Sequence, residues 1–121
     1  MGLQSKEAAA AAVKAAYSAI EDKLGFDIKI LDIEHISVMA DFFIIASAKN
    51  QNQLKAIADY AEEKVYKTGI PLRHSEGYQN TKWILLDFGC VIIHIFTAEE
   101  REFYNLERIW KDAKEVLPED L

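Results

Sequence analysis

Apolar positions along this chain fall into two periods, one near 3.6 residues and one of 2, and their order sketches a fold. From Ser5 to Leu24, Ala9, Val13, Tyr17, Ile20 and Leu24 recur at helical spacing in an alanine-rich stretch, and Gly25 follows as the expected C-terminal cap. Asp27 to Ile33 alternates Ile28 and Ile30 against Lys29, Leu31 and Ile33, the pattern of a half-buried strand. After a connection over Glu34 to Ala40, the run Asp41-Phe42-Phe43-Ile44-Ile45-Ala46-Ser47 is apolar without alternation, which predicts a central strand buried on both faces. Asn50 or Asn52 is placed to cap a second helix, whose Leu54, Ile57, Ala58, Ala61 and Val65 face inward until Gly69 stops it after Thr68. Pro71 to Ser75 reads as a strand that completes a β-α-β unit, and Glu76 to Thr81 as a turn.

The most informative stretch runs from Lys82 to Trp110. Two β-rich runs flank Asp87-Phe88-Gly89-Cys90, a short turn with one glycine, which signals a hairpin. With Phe88 and Gly89 at the tip, Asp87 pairs with Cys90, Leu85 with Ile92, and Trp83 with His94. One face then carries Ile84, Leu86, Val91, Ile93 and Ile95 and belongs against helices. The other carries Trp83, Leu85, Asp87, Cys90, Ile92, His94 and Phe96, apolar but dotted with polar groups, as a surface that meets another molecule is. The alternative is that a further layer of the same chain covers it. From Ala98 or Glu99 the period turns helical again, with Phe103, Leu106, Ile109 and Trp110 on one side.

These elements, in the order α-β-β-α-β-β-β-α, predict one α/β domain over residues 1–121 around a mixed five-stranded sheet flanked by helices. The ordered core is expected over residues 5–112, with the tail 113–121, which contains Pro118, frayed. Half the residues are hydrophobic, enough for a core, and no apolar run reaches the roughly 20 residues of a membrane helix. The N-terminus lacks the layout of a signal or transit peptide, so the bacterial cytoplasm is the expected location.

Charge narrows the partners. With 20 acidic against 14 basic residues and a net charge of −6, the chain is poorly suited to gripping phosphates, and its lysines are scattered. A basic protein partner fits better. No Cys/His cluster has zinc spacing, and the lone Cys90 has no partner for an intrachain disulfide. Asp41 and Asp87 suggest a magnesium pair for nucleotidyl transfer, but neither an Asp-x-Asp pair nor a Gly-Ser phosphate anchor accompanies them. Cys90 and His94 lie four residues apart on one strand, roughly 13 Å at strand rise, too far for a nucleophile–base dyad. No catalytic residue, cofactor or metal is therefore expected.

Glu76-Gly77, Trp83, Leu86-Asp87-Phe88-Gly89, Val91 to Phe96 and Arg101 to Trp110, with Ala40 to Ile45 and Leu54 to Ala58 upstream, resemble the ribosomal silencing factor (RsfS, or Iojap-like) family over residues 10–112. The resemblance implies a nucleotidyltransferase-like fold and a translation repressor without enzymatic activity. It implies docking on large-subunit ribosomal protein L-fourteen and exclusion of the small subunit. It also implies a role in large-subunit assembly for organellar relatives, and a homodimer. Carried onto this chain, it makes Trp83, Leu85, Asp87, Ile92, His94 and Phe96, with Tyr104 at the edge, the partner-binding residues. Glu99, Glu100 and Glu102 then complement a basic surface. The chain departs from the family pattern at Cys90 (usually Asp), at Ala40 (usually Thr), at Ala46-Ser47-Ala48 and at Asn50-Gln51-Asn52. The runner-up reading is a degenerate nucleotidyltransferase-like protein that still binds a nucleotide.

Overall fold

A computed structural model describes residues 6–38, 40–79, 82–104 and 111–121, with residues 103 and 104 described by backbone alone. Its elements are α1 (Lys6–Asp22), β1 (Phe26–Asp32), β2 (Phe42–Ala48), α2 (Gln51–Tyr66), β3 (His74–Glu76), β4 (Trp83–Asp87), β5 (Val91–Thr97), α3 (Ala98–Tyr104) and β6 (Lys114–Val116), followed by a 3-10 turn (Pro118–Asp120). The sheet is mixed and six-stranded, in the order β3-β4-β5-β2-β1-β6. It has one strand more than the five expected, because the tail is not frayed. Lys114–Val116 pairs antiparallel with β1, Ile30 opposite Val116 and Asp32 opposite Lys114. Three residues with two charges among them carry no usable strand signal, which is why this edge was missed.

The parallel pair β2–β5 lies at the centre, Phe42 opposite Val91 through Ala48 opposite Thr97. Every residue of β2 is buried, as its unbroken apolar run predicts. Helices α1 and α2 pack on one face of this sheet, around Ile44, Ile84, Leu86, Ile93 and Ile95, all fully buried. Leu54, Ile57, Ala58, Ala61 and Val65 of α2 point there as expected, and so do Ala9, Ala12, Ala16 and Ala19 of α1. The alanines are thus core residues whose small size lets the helix backbone sit close.

The two helix ends meet in a network that was only half legible. Asn50 is the cap of α2, its Oδ1 accepting from Gln53 N at 2.9 Å. Gln53 Nε2 in turn donates to the carbonyls of Lys23 and Leu24 at 3.1 and 3.0 Å, satisfying orphan acceptors at the end of α1. The left-handed residue that closes α1 is Leu24 (φ 65°), with Gly25 N donating to Ile20 O at 2.8 Å. Leu24 therefore swings out and is exposed rather than joining the inward stripe. Gly25 is needed for space instead: a Cβ there would overlap the Ile20 side chain and lie 3.2 Å from Ile57 Cδ1.

Val116 and Leu121 pack against the helix-side core. Deleting residues 113–121 should lower the stability by about 2–4 kcal/mol, the burial of two partly covered aliphatic side chains. Urea melts of the full and shortened chains check this, and an unchanged midpoint would mean that the tail contributes no packing.

Candidate functional site

The β4–β5 hairpin builds the candidate surface. Its partners are Trp83–Phe96, Ile84–Ile95, Leu85–His94, Leu86–Ile93 and Asp87–Ile92, two residues out of step with the expected register. Phe88 N donates to Val91 O at 2.9 Å, so the two-residue turn is Gly89-Cys90. Gly89 has φ 90° at the first central position, where this hairpin turn requires a glycine. A slip of two leaves each side chain on its predicted face, since the period of a strand is two. Cys90 is the exception. As a turn residue it packs in the helix-side core, and burial pushes its thiol up, away from the reactive thiolate.

On the second face Trp83, His94 and Phe96 form one aromatic group. Trp83 stacks on Phe96 with ring centroids 4.8 Å apart, and His94 meets Phe43 edge-on at 5.0 Å. Trp83 Nε1 donates to His94 Nδ1 at 3.2 Å. Leu31, Ile33, Phe43, Ile45 and Ala113 complete a second apolar cluster here. Ile92, His94 and Phe96 are 5 %, 6 % and 0 % exposed. These three side chains therefore offer a partner little surface of their own. Leu31, Phe43 and Ile45 from the neighbouring strands, with Trp83, Leu85 and Ala113, pack in the same cluster as Ile92 and Phe96.

What remains accessible is the flank formed by β4 and β3. Trp83, Leu85 and Asp87 are half-buried there. The antiparallel pairing of β3 puts His74 opposite Asp87 and Glu76 opposite Leu85, so both share this face. The sequence places His74 in a strand and Glu76 in the turn after it, and assigns neither to this face. Parity counted back across the turn would have found them, had the strand start been known. His74 Nε2 and Glu76 Oε2 lie 2.7 Å apart at the rim. Asp87 is chiefly a turn residue, its Oδ1 accepting from Gly89 N at 2.8 Å. Gly77 (φ 96°) lets the preceding loop lie against β4, for a Cβ there would overlap the Trp83 carbonyl oxygen.

Beyond Trp83, Lys82, Glu99, Glu100 and Glu102 line an open depression of about 400 Å³. The three glutamates expected together are thus together. Arg101, between Glu100 and Glu102, anchors α3. Its guanidinium donates to Ser47 Oγ at 2.9 Å and to the Asp27 carbonyl. The Tyr104 side chain and Asn105 to Trp110, including Leu106 and Ile109, lie outside the described residues, as does the side chain of Phe103. A larger cleft of about 510 Å³, lined by Lys6, Phe42, Val116 and Leu121 among others, contains none of the expected site residues.

The two carboxylates weighed for metal chemistry stand in different surroundings. Asp41 is held above the usual carboxylate range by burial, then by the charge of Glu34, while Asp87 is engaged in its own turn. Among the described residues no three His, Cys, Asp or Glu side chains converge as metal ligands, and no helix is long and apolar enough to cross a membrane.

Fold and surface together define an α/β domain with a mixed six-stranded sheet and an aromatic–acidic flank. The chain matches the family model described as ribosomal silencing factor during starvation over residues 5–121, and it belongs to that family. It is 40% identical over 101 residues to the ribosomal silencing factor RsfS of Bacillus subtilis, covering 84% of this chain and 86% of that protein. The mouse protein named for mitochondrial assembly of the ribosomal large subunit is 32% identical, over 78% of this chain and 47% of that protein. A crystal structure from Chromobacterium violaceum superposes with a TM-score of 0.81 at 29% identity, covering 90% of this chain and 88% of that one.

His94 also makes a pH prediction. Burial alone lowers its pKa from 6.5 to about 4. The unfolded chain therefore takes up a proton that the folded chain refuses, and stability rises with pH across that window. Lowering the pH from 6.5 to 4 should remove about 3 kcal/mol through this residue. Denaturant melts across the window should show a steeper acid loss in the wild type than in His94→Leu; parallel curves would contradict it.

Proposed function

We propose that the chain silences translation by docking on the large ribosomal subunit through protein L-fourteen, where it excludes the small subunit. The observation that carries this is the accessible flank itself. Trp83 and Leu85 offer aromatic and aliphatic area between acidic groups, Glu76 and Asp87 at one end and Glu99, Glu100 and Glu102 at the other. That is the anatomy of an apolar interface centre with a charged rim. The acidic rim complements a basic ribosomal protein, speeding encounter and fixing register, and it disfavours RNA phosphates. The family description supports a role at the ribosome, and the name of the mouse relative supports the large subunit. The mechanism is steric. Inhibition follows occupancy of the joining surface, and no bond is made or broken. The site of action is the bacterial cytoplasm.

The nucleotide-binding alternative has less support. The first turn of α2, after the central strand, is closed by Asn50 and Gln53 of its own chain. That is where a strand–loop–helix phosphate site would stand.

Sedimentation with isolated large subunits, small subunits and joined ribosomes tests the proposal. The wild type should travel with large subunits alone. Trp83→Ala should weaken that binding roughly 30-fold, the scale of an interface hot spot, without unfolding the domain. Glu99→Lys with Glu102→Lys should weaken it and reduce its salt dependence. Absence of the wild type from every ribosomal fraction would overturn the proposal.

A further inference from the structure

We propose that His94 is a positioning residue for the docking surface: its Nδ1 accepts the one hydrogen-bond donor of Trp83 and fixes the indole against Phe96 as a preset apolar anchor. This rests on the docking role proposed for the Trp83 flank and adds how that flank is held and what it offers.

Tryptophan has a single polar atom, and it can only donate. In Trp83 that donor is directed inward to His94 Nδ1 at 3.2 Å, so the indole is fixed by the strand, by the ring of Phe96 and by this bond. The bond also sets the imidazole tautomer. Nδ1 must be the bare nitrogen, which puts the proton on Nε2. Nε2 is buried and, among the described residues, has no hydrogen-bond partner. A histidine kept only for packing has no reason to stand here, because an apolar side chain of similar shape would leave no orphaned donor. At 6 % exposure it also has almost no surface to offer a partner. What His94 supplies, and leucine or phenylalanine cannot, is an acceptor beneath the indole. Phe43, packed edge-on, steadies the imidazole from β2.

Two consequences follow for recognition. The indole is ordered before the partner arrives, so less freedom is lost on binding. With its donor spent inside, Trp83 meets the partner through carbon, and the partner's group at that point is apolar rather than a hydrogen-bond acceptor.

The first test needs no partner. In a Trp110→Phe chain, where Trp83 is the single tryptophan, the indole N–H resonance should exchange slowly. The nitrogen shifts of His94 should show a proton on Nε2 and none on Nδ1. A proton on Nδ1 in the folded wild-type chain would overturn the proposal whatever any variant does. The second test is a double-mutant cycle on large-subunit affinity. His94→Leu should weaken binding roughly two- to twelvefold, the penalty of ordering one large side chain at the interface. In a Trp83→Phe background, whose ring needs no acceptor, His94→Leu should cause no further loss beyond whatever Trp83→Phe costs alone. Equal losses from His94→Leu in both backgrounds would mean general damage and overturn the positioning role. If Trp83→Ala leaves affinity unchanged, the docking reading itself fails. If Trp83→Ala weakens binding while His94→Leu does not, only the positioning role fails.

Discussion

The parallel pairing of β2 with β5 is the contact on which the rest of the structure depends. Parallel neighbours cannot be joined by a tight turn, so the chain must leave β2 through α2, reach the far edge at β3, and return by two antiparallel steps. Such a central pair is covered on both faces. On one face the cover is α1 and α2; on the other, the cluster around Phe43, Ile45, Ile92 and Phe96 is buried as well. On that face Ile92, His94 and Phe96 are left with almost no exposed surface. The β3–β4 flank, where the docking role is proposed, is the nearest part of that face that water still reaches.

This division assigns two kinds of work to one hairpin. Ile84, Leu86, Ile93 and Ile95 hold the helices. Trp83, Leu85 and Asp87, on alternate positions, remain available to a partner. Strand β5 contributes its aromatic groups from beneath, as support rather than as contact. The charges divide in the same way. Arg101 is committed to Ser47 and the Asp27 carbonyl, which ties α3 across the ends of β1 and β2. The glutamates beside it are left to give the flank its sign.

Much of the fold was legible because periodicity is a direct consequence of burial. The five inward residues of α2, the doubly buried β2 and the two faces of the hairpin all follow from which positions are apolar. The faces survived even a wrong register, since Trp83 opposite Phe96 and Trp83 opposite His94 differ by two positions and share a parity. What was not legible depends on tertiary partners. Residues Lys114–Val116 become a strand because β1 offers them an open edge. Leu24 takes the left-handed position, and Gly25 stands where a Cβ would strike Ile20. How much of the second hairpin face its own chain covers turned on packing: β5 is buried up to Phe96, and the residues of β4 on that face are half-buried. For the same reason the face shared by His74 and Glu76 is not legible: a three-residue strand has no period to read, and it runs one residue beyond the expected Ser75.

The central claim is that occupancy of the large subunit by this flank prevents subunit joining. Light scattering during association of purified small and large subunits measures that directly. The account predicts that preincubating the protein with large subunits suppresses the scattering rise in proportion to the large subunits occupied, while preincubating it with small subunits gives no additional suppression. An undiminished rise with large subunits saturated by the protein would contradict it, since a molecule bound outside the joining surface obstructs nothing.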